Sequence, residues 1–133
     1  MYEIMKVWDT LPTDGDSTAM NDFATMWRKN KKIVYSTSLS EITAANTTLE
    51  RSFDPSIIQK LVAESDKDFD IGGPNLAAAA ISAGIVDEYH QMIAPVLIGS
   101  GNYWLPKDVS IEFELMNLHK FENGFVHLHY RKK

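Results

Sequence analysis

The chain has 133 residues, of which 44% are hydrophobic and 23% charged, as expected for a single globular domain over residues 1–133 with a sizeable core. Its net charge of −5 argues against a surface built to neutralise nucleic-acid phosphates, so we expect no nucleic-acid partner. Cysteine is absent, which excludes disulfides and thiolate metal sites, and no apolar run is long enough to span a membrane. We therefore expect a cytoplasmic protein with no membrane partner.

The first residues of the chain have a helical pattern. Ile4, Met5 and Trp8 recur at helical spacing, but neither a capping residue nor a strand precedes them. We interpret this stretch as the tail of an element whose beginning is missing.

A loop and a longer helix follow. Residues 10–18 contain proline, glycine and turn-forming polar residues, which predict a loop. Ser17 or Thr18 then provides a capping oxygen for a helix that reaches about Arg28. The residues expected to share its buried face are Phe23, Met26 and Trp27.

A basic cluster occupies residues 28–32 at the end of this helix. Such a cluster could attract a phosphate group. Cations at a helix C-terminus also favour the helix dipole while they remain solvated, and we prefer this second interpretation.

Strands and helices alternate in the middle of the chain. Residues 32–36 and 47–51 predict short strands, Asp54 and Pro55 predict the start of a helix, and residues 69–71 predict a further short strand. The apolar stripe with which this helix would pack on a sheet consists of Ile57, Ile58, Leu61 and Val62. The alternation is typical of parallel βαβ units and predicts an α/β fold with a mostly parallel central sheet flanked by helices.

A glycine pair separates the strand predicted at residues 69–71 from another helix. Gly72 and Gly73 leave the turn free of side chains, and Pro74 suits the first position of a helix. A strand, a glycine turn and a helix N-terminus together direct free backbone N–H groups at one point, an arrangement that receives phosphate in nucleotide-binding proteins. A tight connection without a ligand explains the pair equally well, because the full dinucleotide fingerprint is absent.

The sequence pattern of the C-terminal part of the chain predicts strands. Residues 86–98 are mostly apolar, which predicts a strand buried on both faces that bends or ends at Pro95. Apolar and acidic residues alternate over residues 111–115, and the Asn-Gly pair at 123–124 predicts a turn before a last strand at 125–131. We therefore expect the chain to end in an antiparallel hairpin.

Two histidines in the last predicted strand are candidate metal ligands. His127 and His129 share one face of the strand, a spacing that could present two imidazoles to a metal ion. The carboxylate or third histidine that such a site needs is not nearby in sequence. We therefore favour solvent-exposed polar histidines and expect no metal.

The sequence displays no catalytic dyad. Asp87 and Glu88 could serve as an acid and base pair, but adjacent residues of a strand face opposite sides of the sheet. One of the two could still face a ligand or a partner. The chain has no serine elbow, phosphate-binding Gly-Lys-Ser motif or zinc-protease helix, so its catalytic residues stay unknown.

The succession of motifs resembles the dihydrofolate-reductase-like family that includes the C-terminal reductase domain of riboflavin biosynthesis. The residues that carry the resemblance run through nearly the whole chain in the order of the family: Tyr2-Glu3 with Trp8, Met20-Asn21, residues 32–36 with Leu39, residues 70–73 with Leu76, residues 84–89, and residues 95–101. The glycine pair, the Val-Asp-Glu-Tyr strand and the Pro-Val-Leu-Ile-Gly-Ser-Gly segment in succession are its most specific part.

The resemblance implies a reductase that binds NADPH and delivers hydride to a small-molecule substrate, either pterin-like or a ribosylaminopyrimidine. It places the glycine pair and the helix start after it against the pyrophosphate, and the region just past the first strand at the adenosine end. The cofactor-binding residues implied in this way are Ser36, Ser38, Gly72, Gly73, Pro74, Asn75 and Leu76. Pro74 stands where the family often has a small or hydroxyl residue, and no arginine for the 2′-phosphate precedes Leu39.

The family also begins with a strand, a helix and a strand that precede the Tyr2-Glu3 match and have no counterpart in this sequence. We therefore expect the dinucleotide half of the site to be kept better than the reacting half. A non-catalytic homo-oligomeric assembly module derived from the same fold is the alternative. Strands predicted to be apolar on both faces would lack neighbours, so we expect a homodimer.

Overall fold

The computed structural model describes residues 1–103 and 105–133. These residues form two compact units, Met1–Asp54 and Pro55–Lys133. Each unit is described by itself below, and the single domain predicted over residues 1–133 stays a prediction. Among the described residues, no helix has both the length and the apolar character needed to cross a membrane.

The first unit begins with helices, as predicted. Helix α1 spans Tyr2–Met5 and continues into a 3₁₀ turn at Lys6–Asp9, and helix α2 spans Thr18–Lys29. Ser17 caps α2, because its side chain accepts a hydrogen bond from the Met20 N–H at 3.4 Å. The predicted loop before this cap is confirmed.

Helix α2 packs against the 3₁₀ turn through aromatic side chains. The rings of Trp8 and Phe23 meet edge to face with 4.7 Å between their centroids, and Ala24 is completely buried. Met26 is 47% exposed, so its predicted place on the buried face is wrong.

The basic cluster at the end of α2 binds backbone carbonyls. Arg28 donates from Nε to the Trp8 carbonyl at 3.1 Å and from Nη2 to the Leu11 carbonyl. Lys32 donates to the carbonyls of Trp27 and Asn30. These cations therefore satisfy carbonyls at the C-terminal end of α2 and in the preceding turn, in agreement with the helix-end interpretation.

Two parallel strands complete the first unit. Strand β1 spans Lys32–Tyr35 and strand β2 spans Thr47–Glu50, with Lys32 opposite Thr47. Both predicted strands are confirmed. Residues 36–46 connect them without a helix, so the βαβ pattern is wrong here. A parallel connection needs enough residues to return along the strands, and an irregular segment supplies that length as well as a helix does.

The second unit contains both further predicted helices. Helix α3 spans Pro55–Ala63 and helix α4 spans Pro74–Ser82. The stripe of α3 does not pack on a sheet as predicted: Ile57 is 56% exposed and Val62 is 41% exposed. Residues 69–71 are irregular and not a strand, since they have no neighbouring strand among the described residues to complete a ladder.

The chain ends in a three-stranded antiparallel sheet. Strand β3 spans Glu88–Ile93, strand β4 spans Phe113–Lys120 and strand β5 spans Val126–Lys132, in the spatial order β3-β5-β4. The predicted C-terminal hairpin is confirmed. The mixed α/β class is confirmed too, but among the described strands parallel pairing is limited to β1 and β2, so a mostly parallel central sheet is wrong.

Strand β3 is shorter and more exposed than predicted. It covers six of the residues in the apolar run and pairs with β5 along one edge. Tyr89 is 5% exposed and packs on Phe113 with 4.6 Å between ring centroids, whereas Met92 is 55% exposed. Leu97, beyond the strand, is 95% exposed. Burial on both faces requires layers on both sides of a strand, and the apolar composition of a run cannot supply them.

The turn of the hairpin depends on a glycine in the left-handed region. Gly124 has φ 86°, and its N–H donates to the Phe121 carbonyl at 3.0 Å. A Cβ atom at this position would lie 3.3 Å from Cγ of Pro95. Both the backbone and the close approach therefore favour glycine.

We predict that Gly124→Ala lowers the free energy of unfolding by about 1–2 kcal/mol, because an L-residue is strained at this φ. Urea denaturation followed by circular dichroism measures the change. Gly15→Ala is the control, since a Cβ there makes an ordinary 3.6 Å contact with Oδ1 of Asn21. Equal stability of the two variants would contradict the prediction.

Candidate functional site

The start of helix α4 is open for a ligand. Gly73 occupies the N-cap position with φ 99° and ψ 125°, Pro74 is the first helical residue, and no side chain caps the helix. The first intrahelical bond runs from the Ala77 N–H to the Gly73 carbonyl at 2.9 Å. The N–H groups of Asn75 and Leu76 precede it and therefore have no partner within the helix.

These features fit a phosphate group. The two free N–H groups and the positive end of the helix dipole favour an anion, and the glycine pair lets it approach the backbone. Asn75 is exposed and Leu76 is half-buried, so the N-terminal turn is open to solvent on one side. The helix start predicted at Pro74 is confirmed, and a role in cofactor binding for Gly72 and the four residues after it stays a prediction.

The carboxyl end of strand β1 carries the predicted serines. Ser36 accepts the Leu39 N–H through Oγ at 3.1 Å, and Ser38 is exposed. Arg51, directly after strand β2, donates from Nη1 to the carbonyls of Ser36 and Leu39 at 3.0 and 2.6 Å. Arg51 thus brings a positive charge to the loop that carries the two serines. The sequence pattern of the family predicts such a charge only at the position before Leu39, where this chain has no arginine.

Arg51 could have been found from the strand pairing. Strands β1 and β2 are parallel, with Tyr35 opposite Glu50, so the residues that follow them emerge at the same edge. Other guanidinium N–H groups of Arg51 have no protein partner among the described residues. The cation is therefore both anchored and able to bind an anion.

A cluster of imidazoles and a carboxylate lies on one face of the C-terminal sheet. His129 Nε2 is 2.9 Å from Glu88 Oε2, and His90 Nδ1 is 3.1 Å from His127 Nε2. Arg131 donates to Glu88 Oε1 from Nη2 at 2.8 Å and from Nε at 3.2 Å. These bonds from Arg131, and then that from His129, hold the pKa of the Glu88 carboxyl below its ordinary value.

The spacing of the last strand predicts the pairing of His127 with His129, but it points to neither Glu88 nor His90 as a companion. Strand β3 supplies both, because His90 lies opposite His129 and Glu88 lies opposite Arg131 in the register with β5. The missing signal was a Glu-x-His alternation that matches the His-x-His alternation of the partner strand. Glu88 is thus the member of the Asp87-Glu88 pair that faces other functional groups.

A cleft of about 300 Å³ lies in the first unit between the 3₁₀ turn, the loop and the start of α2. Its lining residues are Trp8, Leu11, Pro12, Gly15, Asp16, Ser17, Met20 and Asn21. The volume is at the lower end of ligand pockets, and most of the lining is apolar.

Comparison with solved structures identifies the fold. A protein assigned to riboflavin biosynthesis from Shewanella sp. PV-4 matches with TM-score 0.68 and 18% identity, over 79% of this chain and 62% of that protein. A pyrimidine reductase-like protein from Corynebacterium diphtheriae matches with TM-score 0.52 and 23% identity, over 67% of this chain and 40% of that protein. The chain thus spans less than two thirds of the length of either protein.

Comparison with protein families gives a match within the second unit. No curated protein matches the chain significantly. The family model described as RibD C-terminal domain matches residues 71–127, a stretch that contains α4, β3, β4 and the start of β5. The resemblance to the riboflavin-biosynthesis reductase type of the dihydrofolate-reductase-like family is therefore confirmed, and residues 71–127 are the stretch that matches its RibD C-terminal domain.

Proposed function

We propose that this chain is an NADPH-dependent reductase that acts on a small molecule with a pterin-like or ribosylaminopyrimidine ring. The observation that carries the proposal is the uncapped N-terminus of α4, which lies inside the stretch that matches the reductase family. An open helix N-terminus preceded by a glycine pair binds the phosphates of dinucleotides in many α/β proteins. Because this helix start lies within the stretch that matches a reductase family, we expect the phosphates bound there to be those of NADPH.

The residues at the start of α4 would hold the pyrophosphate. The N–H groups of Asn75 and Leu76 donate to its oxygens, while Gly72 and Gly73 leave room for the phosphates to reach the backbone. Pro74 fixes φ at the first helical position, so the donors are oriented before the ligand arrives. NADPH, once bound, supplies the hydride for the reduction.

The family resemblance, and not the placement of the two units, assigns the adenosine end of the cofactor to residues at the carboxyl ends of β1 and β2. Ser36 shapes the loop through its bond to the Leu39 N–H, and the exposed Ser38 hydroxyl is available to the ligand. Arg51 supplies the positive charge that a 2′-phosphate requires, and its bonds to two carbonyls hold it in place. The chain would therefore select NADPH over NADH through Arg51.

A second candidate function is a non-catalytic homo-oligomeric assembly module. Helix α3 favours it, since Ile57, Leu61 and Val62 form an apolar stripe and are 56%, 37% and 41% exposed. Contiguous exposed apolar residues on an amphipathic helix are typical of interaction surfaces. A homodimer that buries this stripe is compatible with both functions. Oxidation of NADPH in the presence of a pterin or ribosylaminopyrimidine would exclude the purely structural role.

The first prediction concerns cofactor binding, which a titration with NADPH followed by nicotinamide fluorescence measures. Gly73→Val should lower the affinity for NADPH at least tenfold, which corresponds to about 1.4 kcal/mol of binding free energy. The branched side chain would occupy the space that the pyrophosphate needs. Gly84→Val is the matched control, because Gly84 has φ 73° and lies just past the other end of α4. Absence of binding at millimolar NADPH, or equal loss in both folded variants, would refute the site.

A second prediction concerns cofactor selection. Arg51→Gln should lower the affinity for NADPH by about tenfold more than the affinity for NADH, because the two ligands differ only in the 2′-phosphate. Any loosening of the loop around Ser36 affects both ligands and cancels in the ratio. Isothermal titration with each cofactor measures it. An unchanged ratio would remove Arg51 from the adenosine site.

A third prediction concerns assembly. The chain should be a dimer in light scattering, and the double variant Ile57→Gln with Leu61→Gln should be a monomer because its stripe is no longer apolar. Gln59→Ala is the control on the same helix, and it should leave the dimer intact. A wild-type mass that stays monomeric at all concentrations would count against the homodimer, whatever the outcome with NADPH.

A further inference from the structure

The polar face of the C-terminal sheet brings metal-ligating side chains together from two strands. Glu88 and His90 alternate along β3, and His127 and His129 alternate along β5, so all four point to one face. The register places His90 directly opposite His129 and Met92 opposite His127. Side chains from two rigid paired strands are better positioned for a ligand than side chains from a loop.

The distances in this cluster are close to those of a coordination sphere. One ligating atom from each of Glu88, His90 and His129 lies within 4.8 Å of the other two. In a tetrahedral zinc site with bonds near 2.0–2.1 Å, ligand atoms are about 3.3 Å apart. The 2.9 Å between His129 and Glu88, and the 3.1 Å between His90 and His127, are near that separation.

We propose that Glu88, His90 and His129 form a binding site for a divalent transition-metal ion, with zinc as the best fit and His127 next to them as a fourth ligand. Imidazole nitrogen suits zinc, copper and nickel, and one carboxylate completes a donor set that zinc accepts. Calcium and magnesium prefer oxygen ligands, of which this cluster offers one residue. The site is thus selective by donor type. It needs neither the cofactor nor the reductase activity.

The existing hydrogen bonds show how the metal would enter. The ion takes the place of the proton between His129 Nε2 and Glu88 Oε2. In a neutral ring this proton returns to Nδ1 through solvent, so that the ligand is a neutral imidazole, and a protonated ring releases its extra proton to solvent. Arg131 keeps its two bonds to Oε1 and so orients the carboxylate with Oε2 towards the imidazoles. Arg131 is a positioning residue in this arrangement, and its positive charge limits the affinity.

The imidazole rings need only rotation to converge. His90 stacks on His129 with 4.2 Å between centroids and on His127 with 5.2 Å, and the planes are within 15° of parallel. His90 and Glu88 are exposed and His129 is half-buried, so rotation displaces no core side chain. Binding would tie β3 to β5 and stabilise the sheet by mass action, because the unfolded chain does not present these ligands together.

The test is calorimetric titration of the untagged chain with zinc chloride in a buffer that does not chelate zinc. We expect one equivalent to bind at micromolar concentration or tighter. His90→Ala and His129→Ala should each weaken binding at least tenfold. Gln91→Ala is the matched control, because Gln91 belongs to the same strand as His90 but lies opposite Leu128 and therefore faces the other side of the sheet.

A measurement on the wild-type chain covers the case in which a variant fails to fold. Zinc should shift the imidazole proton resonances of His90 and His129 in an NMR titration more than those of His119, which lies on β4 opposite His127. Binding weaker than millimolar, equal shifts of all four histidines, or a folded His90→Ala variant with wild-type affinity would each overturn the proposal.

Discussion

The C-terminal sheet depends on strand β5, because this strand pairs with β4 on one side and with β3 on the other. Its alternation sends Leu128 and Tyr130 to one face of the sheet and His127 and His129 to the other. Tyr130 lies opposite Tyr89 in the register. Burial of Tyr89 raises the pKa of the Tyr89 hydroxyl. A shift of β5 by one residue would exchange the two faces, so a single register fixes both the aromatic packing and the histidine cluster.

Features of the fold that rest on local chemistry could be predicted from the sequence. The Ser17 cap, the helix start at Pro74 and the turn at residues 123–124 each follow from what a few neighbouring residues do to the backbone. The strand predicted at 69–71 and the buried strand predicted over 86–98 are wrong for the opposite reason. Whether an apolar run becomes a strand, and how deeply it is buried, depends on partners that lie elsewhere in the chain.

The candidate sites also differ in whether they depend on neighbouring residues of the sequence or on strand pairing. The glycine pair and Pro74 are adjacent in sequence, so the open start of α4 could be predicted in full. Arg51 and His90 could not, since each acquires its neighbours through strand pairing, parallel in the first unit and antiparallel in the second. The sequence shows which residue types are present, whereas the pairing register of the strands decides which side chains lie next to one another.

The two ligand sites proposed for the second unit also differ in what a structural likeness can say about them. The start of α4 is made of backbone N–H groups, which any chain with this fold and this turn presents whatever its side chains are. Likeness at 18% and 23% identity shows a shared fold alone, so it bears on the backbone of this helix start and not on what binds there. The cluster of Glu88, His90 and His129 is made of side chains alone, so shared fold says nothing about it. Any metal bound there would be a property of this sequence placed on a common backbone.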